Sequence, residues 1–113
     1  MKKQEELNLK FYKKMGAFNE LAYILDSSNA SGNYTRLNII QFLPKAVINH
    51  LIETLQLIQN NQLYDPSFLD SAEELSVFDV NFITPYFWID GHKTIHMDDL
   101  KLLLIEWLEF RSS

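Results

Sequence analysis

Val77-Phe-Asp-Val-Asn-Phe-Ile-Thr-Pro-Tyr-Phe-Trp-Ile-Asp-Gly-His-Lys-Thr-Ile-His96 is the stretch that decides the fold class. Phe78, Val80 and Phe82 alternate with Asp79 and Asn81, the period of two that puts apolar side chains on one face of a strand and polar ones on the other. Beyond Thr84-Pro85, the segment Tyr86 to Asp90 is rich in β-formers. Asp90-Gly91 is a strong hairpin-turn dipeptide, so Lys93 to Ile95 is expected to return as a second strand. In an extended strand Tyr86, Trp88 and Asp90 share one face while Phe87 and Ile89 share the other.

On the C-terminal side, Leu100, Leu103, Leu104, Trp107, Leu108 and Arg111 keep helical spacing. Asp98 and Asp99 suit the start of that helix and Arg111 its end. On the N-terminal side the period is again helical. Pro44 to Asn60 reads as a main helix, preceded by a shorter helical or extended piece over Arg36 to Phe42. Asp26 to Asn33 is turn chemistry throughout. Leu7, Phe11, Met15, Phe18, Ala22 and Leu25 form a stripe that predicts one amphipathic helix from about Gln4 to Leu25, supported by a Glu6–Lys10 pair. Gly16 is its weak point, where a kink or a close approach of another element is expected. Asp65-Pro66 and the capping-box pattern Ser71-x-x-Glu74 place one short helix within 66–75. Helices, a small antiparallel sheet and a final helix make the class α+β.

A chain of 113 residues that is 47% hydrophobic and 22% charged is expected to form one domain, 1–113, and not a disordered segment. The absence of cysteine excludes disulfides, thiolate zinc sites and cysteine nucleophiles. No apolar segment follows the first six residues, and the longest purely aliphatic run is only Leu102 to Ile105, so neither a signal peptide nor a membrane span is expected, and a cytoplasmic protein with no membrane partner is. Charge is unevenly placed. Residues 1–14 carry five Lys against two Glu. From Ala46 to His92 there are seven acids and no Lys or Arg, where about four bases would be expected at the chain's own frequency. A negative surface favours basic partners and opposes nucleic acid, although Lys2, Lys3, Lys10, Lys13 and Lys14 with Phe11 and Tyr12 form one cationic, aromatic group.

Catalytic motifs are missing. His92 and His96 have the four-residue spacing of helical zinc ligands, but they flank a hairpin strand, where four residues span roughly 13 Å, and with Asp98 read better as turn and capping residues. His50 and Glu53 show the reverse of the Glu-x-x-His order used in di-metal bundles. The acid pairs Glu73/Glu74, Asp98/Asp99 and Glu106/Glu109 fit capping and surface charge. Glycines at 16, 32 and 91 alone cannot build a phosphate loop, and no serine sits in a nucleophile elbow. No catalytic residue, metal ligand or cofactor is therefore assigned.

A small, acidic, cysteine-free chain with a Trp-containing helix over Leu100 to Phe110 and an aromatic-plus-acid strand face resembles the immunity proteins of bacterial toxin systems, contact-dependent growth inhibition included. The resemblance implies a cytoplasmic inhibitor that binds one basic cognate toxin, such as a nuclease. The surface expected to do so combines Glu73, Glu74, Asp79 and Asp90 as its charged part with Tyr86 and Trp88 as anchors. Two other classes are a regulatory or structural subunit that oligomerises through the aromatic face, and a small metal-dependent enzyme using His92, His96 and Asp98.

Overall fold

The computed structural model describes residues 2–112 apart from Pro66 and Ala72, and apart from the side chains of Asp70, Ser71, Glu73 and Glu74. Its elements are α1 (Lys3–Glu6), β1 (Lys10–Met15), β2 (Leu21–Asp26), a 3-10 helix (Gly32–Phe42), α2 (Lys45–Gln59), α3 (Phe68–Ser71), α4 (Glu73–Ser76), β3 (Val80–Ile83), β4 (Tyr86–Ile89), β5 (His92–His96) and α5 (Met97–Arg111). The class is α+β, with one two-stranded and one three-stranded antiparallel sheet.

The second half follows its sequence pattern closely. Asp90 and Gly91 both have positive φ, 52° and 71°, the requirement of a two-residue type I′ turn, and they pair Ile89 with His92. A bulge at Phe87/Trp88 puts one extra residue, Thr94, into β5, so Thr94 and Ile95 are both buried instead of alternating. The Thr94 hydroxyl settles the disturbed ladder, accepting from the Ile89 N–H at 3.2 Å and donating to the His92 carbonyl at 2.9 Å. α5 buries Met97, Leu100, Leu103, Leu104 and Trp107. It packs on α2, β4 and β5. α2 contributes Ile48, Leu51 and Leu55 to the same core.

Helix ends are closed by identifiable residues. Asn61 takes φ of 56° after α2, and the Gln62 N–H donates to Leu57 O at 2.8 Å while the Asn61 N–H donates to Ile58 O at 3.1 Å, a Schellman closure. Gln59 then joins the two long helices, donating to Asp98 Oδ1 at 2.6 Å and accepting from Lys101 Nζ at 2.8 Å. At the opposite end the Arg111 guanidinium donates to Leu43 O at 3.1 Å. The short helical turns at 68–76 fall where one short helix was expected, and the side chains of Ser71 and Glu74, which the capping-box pattern names, lie outside the described residues.

The N-terminal segment departs from the expected single helix. α1 stops after one turn because Asn8 takes φ of 58°, with Leu9 N–H donating to Gln4 O at 2.8 Å and Asn8 N–H to Glu5 O at 3.1 Å. Residues 10–26 form a β-hairpin that turns at Gly16 to Glu20, with Asn19 at φ of 59°. Phe11 and Leu25, two members of the helical stripe, are cross-strand partners on the face turned to the core. Phe11 meets Trp107 edge-on at 5.0 Å and Phe110 at 5.6 Å. Phe18, another member, lies in the turn, 86% exposed. Glu6 pairs with Lys3 at 2.7 Å and not with Lys10, and Lys3 also reaches Asp99 at 3.0 Å. Glu106 holds α1 on α5 by accepting from the Lys3 and Gln4 N–H groups at 2.7 and 2.9 Å.

Candidate functional site

β4 is the middle strand of the second sheet, so its two faces meet different surroundings. Phe87 and Ile89 are buried with Val80 and Ile95 on the inner face, while Tyr86 and Trp88 are half-buried on the outer one. Trp88 lies between Asn81 of β3 and Lys93 of β5. Its indole N–H is enclosed and reaches no acceptor among the described residues. The Lys93 ammonium sits 4.7 Å from the centre of the Tyr86 ring, and the His96 ring meets the same tyrosine edge-on at 5.6 Å. Tyr86, Lys93 and His96 share with Asn33 and Tyr34 of the 3-10 helix a depression of about 400 Å³. The Asn33 side-chain amide donates to Lys93 O at 3.0 Å and fixes that helix along β5.

The predicted acidic part is brought together only in part. Asp79 and Asp90 are neighbours at one end of the sheet, where the Asp90 N–H donates to Asp79 O at 3.0 Å. Both are exposed, and both have positive φ, 50° and 52°. Asp90 is thus a turn residue, and the alternation that was expected to align it with Tyr86 and Trp88 ends at Ile89. Asp79 likewise precedes β3 instead of alternating within it. The side chains of Glu73 and Glu74 lie outside the described residues. Their backbone belongs to α4, which leads through a turn, with Phe78 N–H donating to Leu75 O at 3.0 Å, into Asp79.

The stretch without bases is not a surface without bases. Arg36, from the 3-10 helix, lies 3.6 Å from Asp90. Lys93 follows the stretch by one residue and the register returns it to the outer face beside Trp88. Sequence reasoning missed Arg36, Asn33 and Tyr34 because each meets the sheet from about fifty to sixty residues away in the chain, and nothing local in the sequence marks such a contact.

The histidines take structural positions. His92 and His96 stand at opposite ends of β5, and His96 Nδ1 accepts the Asp98 N–H at 3.1 Å as the N-cap of α5. His50 stacks on Phe68 with ring centres 4.0 Å apart. Among the described residues no group of three or more His, Asp or Glu is placed to hold a metal ion. No described helix is long and apolar enough to cross a membrane. No family model, no curated protein and no solved structure matches this chain.

Proposed function

We propose that this is a binding protein that neutralises a basic protein partner, in the manner of a toxin-immunity protein, and that the outer face of the second sheet is its docking surface. The observation that carries the reading is the pairing of two half-buried aromatics, Tyr86 and Trp88, with the exposed acids Asp79 and Asp90 at the end of the same sheet. Aromatic side chains offer large area at low entropic cost, and acids at the margin speed encounter with a cationic partner. Arg36 lowers the charge at Asp90, which leaves Asp79 and, by chain position, Glu73 and Glu74 as the steering acids. A nuclease toxin has the cationic surface that such a face complements, because it must hold phosphates.

The test is association kinetics with the basic protein that the immobilised chain captures from its source cell. Asp79→Asn with Asp90→Asn is expected to slow association severalfold at low salt and to flatten its salt dependence, with dissociation little changed. An association rate equal to that of the unmodified protein at low salt would remove the electrostatic part of the reading.

A further inference from the structure

The β1–β2 hairpin belongs to neither the sheet nor the face described above. Residues 12–20 are all exposed, and its tip collects Met15, Phe18 and Leu21 at 59%, 86% and 48% exposure, with Met15 and Leu21 directly paired across the strands. Three apolar side chains on one convex tip make a patch on the order of the few hundred Å² that marks an interaction site. Lysines stand immediately behind it. Lys14 lies on one face of the ribbon with Tyr12, and Lys13 on the other with Met15, where it is paired with Tyr23 and lies 5.7 Å from that ring. By strand rise Lys14 and Lys13 are about 3 and 7 Å behind the Met15–Leu21 rung, and Lys10 about 17 Å. Glu20 is the one acid of the turn.

We propose that this hairpin docks on an anionic membrane surface, with Phe18, Met15 and Leu21 entering the acyl boundary and Lys13 and Lys14 at headgroup depth. Charge and shape both select this occupant. A group of lysines on an otherwise acidic chain is complementary to an anionic surface, whereas a bilayer of neutral lipid offers the lysines nothing. A convex apolar tip buries little against a firm protein surface without a matching pocket, but a fluid bilayer closes around it to the depth of about 5–10 Å that interfacial elements reach. Tyr12 sits where the headgroup region would be, the level that amphipathic aromatics favour, while Tyr23 packs edge-on against Phe110 at 5.7 Å. This departs from the sequence expectation of no membrane partner; no described helix is long and apolar enough to cross a membrane, and the hairpin would lie on the bilayer and not cross it.

The experiment is flotation of the intact protein with vesicles of phosphatidylcholine alone and of phosphatidylcholine with about a third phosphatidylserine. The unmodified chain is expected to float with the anionic vesicles at low salt and to be released as salt rises. Phe18→Ser is expected to reduce the bound fraction about tenfold, and so is the Lys13→Gln, Lys14→Gln pair. All these side chains are solvent-facing or on the hairpin, and circular dichroism checks that each variant keeps the fold. No flotation with anionic vesicles would overturn the proposal, as would equal flotation with neutral ones or binding indifferent to both variants. Light scattering that shows a dimer dissolved by Phe18→Ser would assign the tip to a second copy instead. Lysine-dependent retention by a single-stranded oligonucleotide that Phe18→Ser leaves unchanged would assign it to nucleic acid.

Discussion

Trp107 is the largest fully buried side chain, held between Phe11, edge-on at 5.0 Å, and Phe110, stacked at 5.7 Å. Its indole N–H reaches no acceptor among the described residues. An enclosed donor without a partner costs about 1–3 kcal/mol, which partly offsets what the ring contributes by burial. Trp107→Ala should therefore lower the unfolding free energy by about 3–5 kcal/mol, and Trp107→Phe by only about 1–2 kcal/mol, since it loses volume but also the orphan donor. Urea unfolding followed by far-ultraviolet circular dichroism measures both, and a loss for Trp107→Phe as large as that for Trp107→Ala would contradict this expectation. Trp107 was legible as core from the spacing of α5. Its partner Phe11 was legible as apolar but was assigned to the wrong element. Positive-φ asparagines explain the difference: Asn8 ends α1 and Asn19 turns the hairpin, both inside a stripe whose spacing reads as helical.

Elements here are closed by exposed or half-buried carboxylates that act locally. The Ser28 N–H holds the Asp26 carboxyl below the ordinary carboxylate range, the Ser67 N–H does the same for Asp65, and the Lys3 ammonium for Glu6. Glu6 and Asp99 in turn push the Lys3 ammonium above the usual lysine value. Groups with depressed folded pKa stabilise above the unfolded value, near 4, and lose that contribution as pH falls through the folded value. For Lys3 the sign reverses: its contribution is complete below about 10.4 and fades as pH rises through the higher folded value. The thermal midpoint should thus fall below about pH 4, and Asp26→Asn with Asp65→Asn should flatten that decline. A midpoint with the same acid dependence in the double variant would mean that these two turns are not the acid-sensitive parts. At this scale the α2, β4, β5 and α5 elements were all readable, because proline, Asp-Gly and a 3.6-residue period each have one physical meaning. The β1–β2 hairpin was not, because its apolar residues satisfy both a helical and a two-residue period, and only the packing of Phe11 on Trp107 decides between them.

Across the whole molecule the fold rearranges the charge that the sequence lays out in blocks. Arg36 and Lys93 meet the acidic sheet from outside its base-free stretch, and the lysines of residues 10–14 move to a separate hairpin. What was readable as an acidic half becomes a narrower acidic corner at Asp79 and Asp90, beside an aromatic face, with a cationic, apolar-tipped hairpin elsewhere. Long-range contacts of this kind leave no local trace, so the aromatic anchors could be named from sequence but not the bases that border them. On the proposed function, the outer face of the second sheet is an interface and not a covered core surface. Trp88→Ala tests it most directly, with affinity for the captured basic partner and circular dichroism recorded on the same preparation. A native spectrum is expected, with binding weakened about thirtyfold or more. Unchanged binding by a folded variant, or loss of the fold itself, would contradict it.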